Sequence, residues 1–131
     1  MRLVIVLLLA VPMVRAEEKT GVRELKVPDI QPVARRTNKP EPVKYTSAAD
    51  FEKAFMGKGV KEVLKQVDFS KEYIVAFAWA GSGGDQVGFR VDKGQAGEEV
   101  TFGYTPGVTD DLRRHLKLFV LPSKATYKMG K

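Results

Sequence analysis

Two stretches of the chain hold residue types that could do chemistry. The first, Gly81 to Gly88, reads Gly-Ser-Gly-Gly-Asp-Gln-Val-Gly, and clustered glycines let backbone N–H groups approach an anion such as a phosphate. Its spacing does not complete a phosphate loop. A dinucleotide loop needs glycine at the sixth position from Gly81, where Gln86 stands, and a P-loop counted from Gly83 needs lysine after Gly88, where Phe89 stands. The following residues alternate like a strand, so no helix amino terminus faces a ligand. The stretch therefore reads first as a hairpin turn, with Ser82, Gly83, Gly84, Asp85 and Gln86 as candidate contacts for a ligand or partner.

The second stretch, Thr109 to His115, is the densest polar cluster and carries the only histidine. It reads as one turn of helix or a structured loop. Thr109 suits the cap, Asp110 and Asp111 the positive amino end, and Arg113, Arg114 and His115 the negative carboxyl end. Asp110, Arg113, Arg114 and His115 are the candidate binding residues here, and ion pairs from Arg113 or Arg114 to Glu98 or Glu99 are expected. His115 is the one side chain suited to act as a base at neutral pH. A hydrolytic triad of Ser82, His115 and Asp85 or Asp110 can be written down, but no nucleophile elbow surrounds Ser82. With one histidine and no cysteine, the usual multi-histidine and thiolate metal sites are excluded, and no carboxylate spacing supports calcium near Asp110 and Asp111. The expectation is a non-enzymatic chain with no cofactor and no metal.

These stretches must be held by elements that the apolar pattern outlines. Tyr73 to Ala80 has no charged residue and alternates large with small side chains, which predicts a central strand covered on both faces, with Trp79 in the core. Val87, Phe89 and Val91 predict a hairpin partner for it, Val100, Phe102 and Tyr104 a third strand, Leu116 to Leu121 a fourth, and Ala125 to Met129 an edge strand. Upstream, Ser47 and Asp50 mark a helix start, and Ala48, Phe51, Ala54 and Phe55 form one apolar stripe that Gly57 ends. Val60, Val63, Leu64 and Val67 form a second stripe. The fold class expected is α+β, with one or two N-terminal helices packed on one face of a mainly antiparallel sheet of four to five strands. A single domain of this kind is expected over 42–131. Before it, residues 17–41 form an extended leader punctuated by Pro28, Pro32 and Pro40, in which Arg23 to Val27 can lie along a sheet edge.

The first sixteen residues set the address. Arg2, the apolar run from Leu3 to Val11 and the Val14-Arg15-Ala16 ending read as a cleavable secretory signal at 1–16, too short for a membrane span. The product is expected in the periplasm or outside the cell, with no transmembrane segment and, lacking cysteine, no lipid anchor. Loss of Arg2 and Arg15 lowers the formal +6 by two charges, and the remaining Lys and Arg are interleaved with Asp and Glu. That dispersal argues against nucleic acid as a partner.

With Asp68-Phe69-Ser70, the apolar strand and the glycine-rich turn in view, the part from about Pro42 to Met129 resembles the C-terminal domain of protease-complex lipoprotein subunits of the PrcB type, and small uncharacterised exported bacterial proteins. The family's turn carries Thr-Gly-Gly-Tyr where this chain has Ser82-Gly83-Gly84-Asp85, and its lipobox cysteine is missing here. The resemblance implies a small module that associates with another exported protein, such as a protease. Three functions are thus expected in order. The first is a protein-binding module contacting its partner through Gly81–Gln86 and Thr109–His115. The second is a cell-wall, polysaccharide or peptide ligand-binding protein or hydrolase using His115. The third is an inhibitor presenting the Gly81–Asp85 loop to a protease.

Overall fold

The structure, a computed structural model, describes residues 21–26 and 29–130. The expected signal segment at 1–16 lies outside the described residues. The centre of the molecule is β5 (Glu72–Ser82), whose uninterrupted apolar run is buried on both faces as its sequence demands. It lies between β8 (Leu112–Pro122) and β3 (Val43–Tyr45), and β1 (Arg23–Leu25) from the leader completes an antiparallel sheet of order β1-β8-β5-β3. A second sheet, of order β6-β7-β9, is built from β6 (Gln86–Lys93), β7 (Glu98–Thr105) and β9 (Thr126–Met129). The edge strand β9 runs parallel to β7. A two-residue ladder joins β2 (Gln31–Pro32) to β4 (Phe55–Met56).

The pleat of β5 divides the core in two. Tyr73, Val75, Phe77 and Trp79 face the second sheet and pack with Val87, Val100, Phe102, Phe119 and Leu121. Ile74 and Ala76 face the other way, where Leu118, Val120, Phe51, Phe55, Val60 and Val63 meet Leu25 and Ile30 of the leader. Phe51 and Phe55 come from α1 (Ala48–Ala54) and its exit, Val60 and Val63 from α2 (Gly59–Leu64). Ser47 caps α1 by accepting the Asp50 N–H at 3.1 Å. Past α1 the chain turns at Gly57 with φ of 119°, where a Cβ would sit 2.3 Å from the Asp29 carbonyl oxygen, so only glycine fits.

The structure departs from the sequence expectation in three places. The fold is mostly β, with 49% of the described residues in strands and 12% in helices, and not an α+β layer of helices on one sheet. The reason is that the aromatic face of β5 is covered by a second sheet, while the helices are only 7 and 6 residues long. Next, β6 is not a hairpin partner of β5. Both edges of β5 are already taken, by β8 on one side and by β3 with the Thr37 bridge to Trp79 on the other, so the turn after Ser82 carries the chain across to the second sheet. Finally, Thr109 to His115 forms no helical turn. Residues 112–115 open β8, with Leu112, Arg113, Arg114 and His115 opposite Ser82, Gly81, Ala80 and Trp79, so long-range ladder bonds replace the local helical ones. Among the described residues no helix is long and apolar enough to cross a membrane.

Candidate functional site

The extra length of β5 and β8 brings the two chemically interesting stretches to one end of the sandwich, where they tie each other down. The turn after β5 closes through the Asp85 N–H, which donates to the Ser82 carbonyl at 3.0 Å. The Asp85 side chain then folds inward and is only 7% exposed. One carboxylate oxygen accepts from Trp79 Nε1 at 3.0 Å and the Tyr104 hydroxyl at 3.2 Å, and the other accepts the Gly107 N–H at 2.7 Å. Those three donors come from β5, β7 and the loop at 106–111. The Gly107 N–H above all, aided by Trp79 and Tyr104, holds the Asp85 carboxyl below the usual range against the opposing effect of burial. An ionised carboxylate that only accepts is the right group for a site with three converging donors.

Ser82 and Asp111 repeat the pattern closer to the surface. Ser82 Oγ accepts the N–H groups of Gly84 and Thr109, each at 3.2 Å, and shares a 2.7 Å hydrogen bond with the Thr109 hydroxyl. Asp111 accepts from the Gly83 N–H at 3.2 Å, from the Thr109 hydroxyl and from Arg113 Nε at 2.8 Å. The Thr109 hydroxyl first, then the Gly83 N–H, pull the Asp111 carboxyl down to about 2. His115 stacks on Trp79 with ring centres 4.7 Å apart and planes at 19°. Its Nε2 lies 2.7 Å from the Ser82 carbonyl oxygen, and since a carbonyl only accepts, Nε2 carries the proton. Backbone meets backbone between the loops, because a Cβ on Gly107 would come within 2.5 Å of the Gly84 Cα.

Ser82, Gly83, Gly84, Asp85, Arg113 and His115 are thus brought into one clasp. Gln86 stands beside it as the exposed first residue of β6, Asp110 is exposed at the loop tip, and Arg114 is exposed on β8 opposite Ala80. Arg113 pairs with Asp111, not with Glu98 or Glu99. The drawn triad is not assembled: His115 bonds the carbonyl of Ser82 and not its hydroxyl, and Asp85 is committed to Trp79, Tyr104 and Gly107. Among the described residues no group of three His, Cys, Asp or Glu is placed to hold a metal ion.

Sequence reading missed the roles of Tyr104 and Gly107, which bond Asp85 from 19 and 22 positions away, and gave Thr109 a helix cap where it bonds Ser82 across 27 positions. It also missed Val108 and did not single out Leu112 within Thr109–His115; they are 96% and 78% exposed, Val108 on the clasped loop and Leu112 at the start of β8. An apolar residue among turn formers, as in Pro106-Gly107-Val108-Thr109, was the available signal. A separate groove of about 250 Å³, lined among others by Pro32, Val33, Ala54, Ala76 and Ala78, lies on the helix side of the first sheet. Comparison with family models, curated proteins and solved structures finds no match to the chain.

Proposed function

We propose that this chain is a non-enzymatic, exported binding module, and that the clasped end is the surface it offers to another exported protein. The observation carrying this reading is the pairing of a fixed backbone with protruding apolar side chains. Val108, on the loop held by Ser82, Asp85 and Asp111, and Leu112, at the start of β8, protrude from backbone that is already fixed before a partner arrives. Asp110, Arg113 and Arg114, their neighbours in sequence, are exposed as well. An apolar centre inside a charged rim is the usual composition of a protein contact. The polar groups that catalysis would require are meanwhile spent on internal hydrogen bonds. The resemblance to PrcB-type subunits makes a protease the first partner class to test.

The test is a quantitative pull-down of exported proteins with the chain and with a Val108→Asp/Leu112→Asp variant. A partner held by the parent and weakened at least about tenfold by the still-folded variant supports the reading, as loss of a central apolar anchor requires. Equal retention by both proteins removes it.

A further inference from the structure

The second sheet ends on β6, and among the described residues this strand has no neighbour on its outer side along all eight residues from Gln86 to Lys93. Such an edge offers a row of backbone donors and acceptors to any matching strand. The first sheet treats its edges differently, covering β8 with β1 and the upper part of β5 with Thr37. On the inward face of β6 the middle residue, Phe89, packs edge-on against Phe119 with centres 5.6 Å apart, yet remains 39% exposed at the open side of the sandwich. On its outward face the strand is bare at Gly88, and at its cross-strand neighbour Gly103, where an added Cβ would meet nothing within 4 Å.

We propose that β6 pairs with β6 of a second copy of this chain, antiparallel and about a two-fold axis at Phe89, to make one continuous six-stranded sheet. The sequence of the strand is self-complementary in that register. Phe89 faces Phe89 of the second copy, and Val87 faces Val91, so all inward apolar residues meet inward apolar residues. Because each pair is related by an even offset, inward and outward faces stay matched across the junction. On the outward face Gly88 lies opposite Arg90 of the second copy, whose long side chain needs the open strip over Gly88 and Gly103. Gln86 lies opposite Asp92, so no like charges are directly opposed. A contact in which the same strand supplies both sides is isologous and closes at a dimer. It uses none of the clasp residues, so substitution of Val108 and Leu112 leaves it unchanged.

The absence of cysteine from the chain makes a direct test available. Directly opposed residues in an antiparallel pair have Cα atoms about 4.5–5.5 Å apart, within the span of a disulfide. The parent should double in mass between low micromolar and submillimolar concentration by light scattering. A Phe89→Cys variant should cross-link to a covalent dimer on mild oxidation, whereas Asp92→Cys should not, its copies standing about 20 Å apart along the strands. Since Phe89 also packs on Phe119, a second pair guards against misfolding. Gly88→Cys mixed with Arg90→Cys should cross-link far faster than either alone. A parent that stays monomeric throughout, or cross-linking that is equal at all positions, overturns the proposal. So does a monomer whose β6 edge instead captures an extended foreign peptide.

Discussion

Replacing Gly107 by alanine tests the clasp at its tightest point. The new Cβ would lie 2.5 Å from both the Cα and the carbonyl carbon of Gly84 and 2.6 Å from Ser82 Oγ. Backbone cannot rotate away as a flexible side chain can, so the loop at 106–111 and the turn after β5 must separate. Overpacking of this kind costs about 1–3 kcal/mol. Alanine also restricts the unfolded chain, which returns about 0.4–1 kcal/mol. The net expectation is a loss of about 1–2 kcal/mol, or a Tm lower by about 4–8 °C for a chain of this size. Thermal unfolding followed by the fluorescence of Trp79 is the assay, since this buried indole donates to the same Asp85 carboxylate that receives the Gly107 N–H. Gly103→Ala is the control: its Cβ enters open space, and its stability should match or slightly exceed that of the parent. A Gly107→Ala protein as stable as the control would refute the close approach of the two loops.

Other expectations follow from the same contacts. Val108→Asp and Leu112→Asp, at exposed positions, should change stability by no more than about 0.5 kcal/mol in urea unfolding while removing partner retention. Tyr73→Phe removes a buried 2.6 Å hydrogen bond to the Ala125 carbonyl beside β9 and should cost about 1–2 kcal/mol in the same assay. Stability should fall at both ends of the pH scale. Asp111, drawn down to about 2 by Thr109 and Gly83, together with Asp85 and Glu72, both held low, stabilises the fold above the ordinary carboxylate range. That contribution should be lost as pH drops toward about 2. Tyr73, pushed up to about 12 by burial, keeps its proton in the fold while the unfolded chain releases it near 10.0, so stability should decline between those values. Urea midpoints across the pH range check both limbs.

What could be read in the sequence was set by local pattern. Tyr73 to Ala80 announced a doubly covered strand because eight residues without charge have no wet face, and Ser47 announced α1 because a cap acts within its own turn. Gly57 does not end α1 as expected: the helix stops at Ala54 with Phe55 extended, and the need for glycine at 57 comes from the distant Asp29 carbonyl. What was not legible depended on distant partners. The charges from Asp110 to His115 suit a helical turn and the start of a strand equally, and only the extra reach of β5 to Ser82 selects the strand. That β5 is covered on both faces was legible, but nothing local showed that the strands over its aromatic face form a separate sheet. Asp85 read as a turn residue and candidate contact and not as a buried group, because Tyr104 and Gly107, which make its burial tolerable, follow it by 19 and 22 positions. Val108 and Leu112 carried too little pattern to stand out.

The most direct test of the clasped end as a contact surface is hydrogen exchange at the amides of Gly83 and Gly107 and across 108–112, with and without the captured partner. The two glycine amides, bonded to Asp111 and Asp85, should exchange slowly in the free chain, and 108–112 should slow further on binding. Free exchange of both glycines, or protection by the partner at some other surface with 108–112 unchanged, would contradict it.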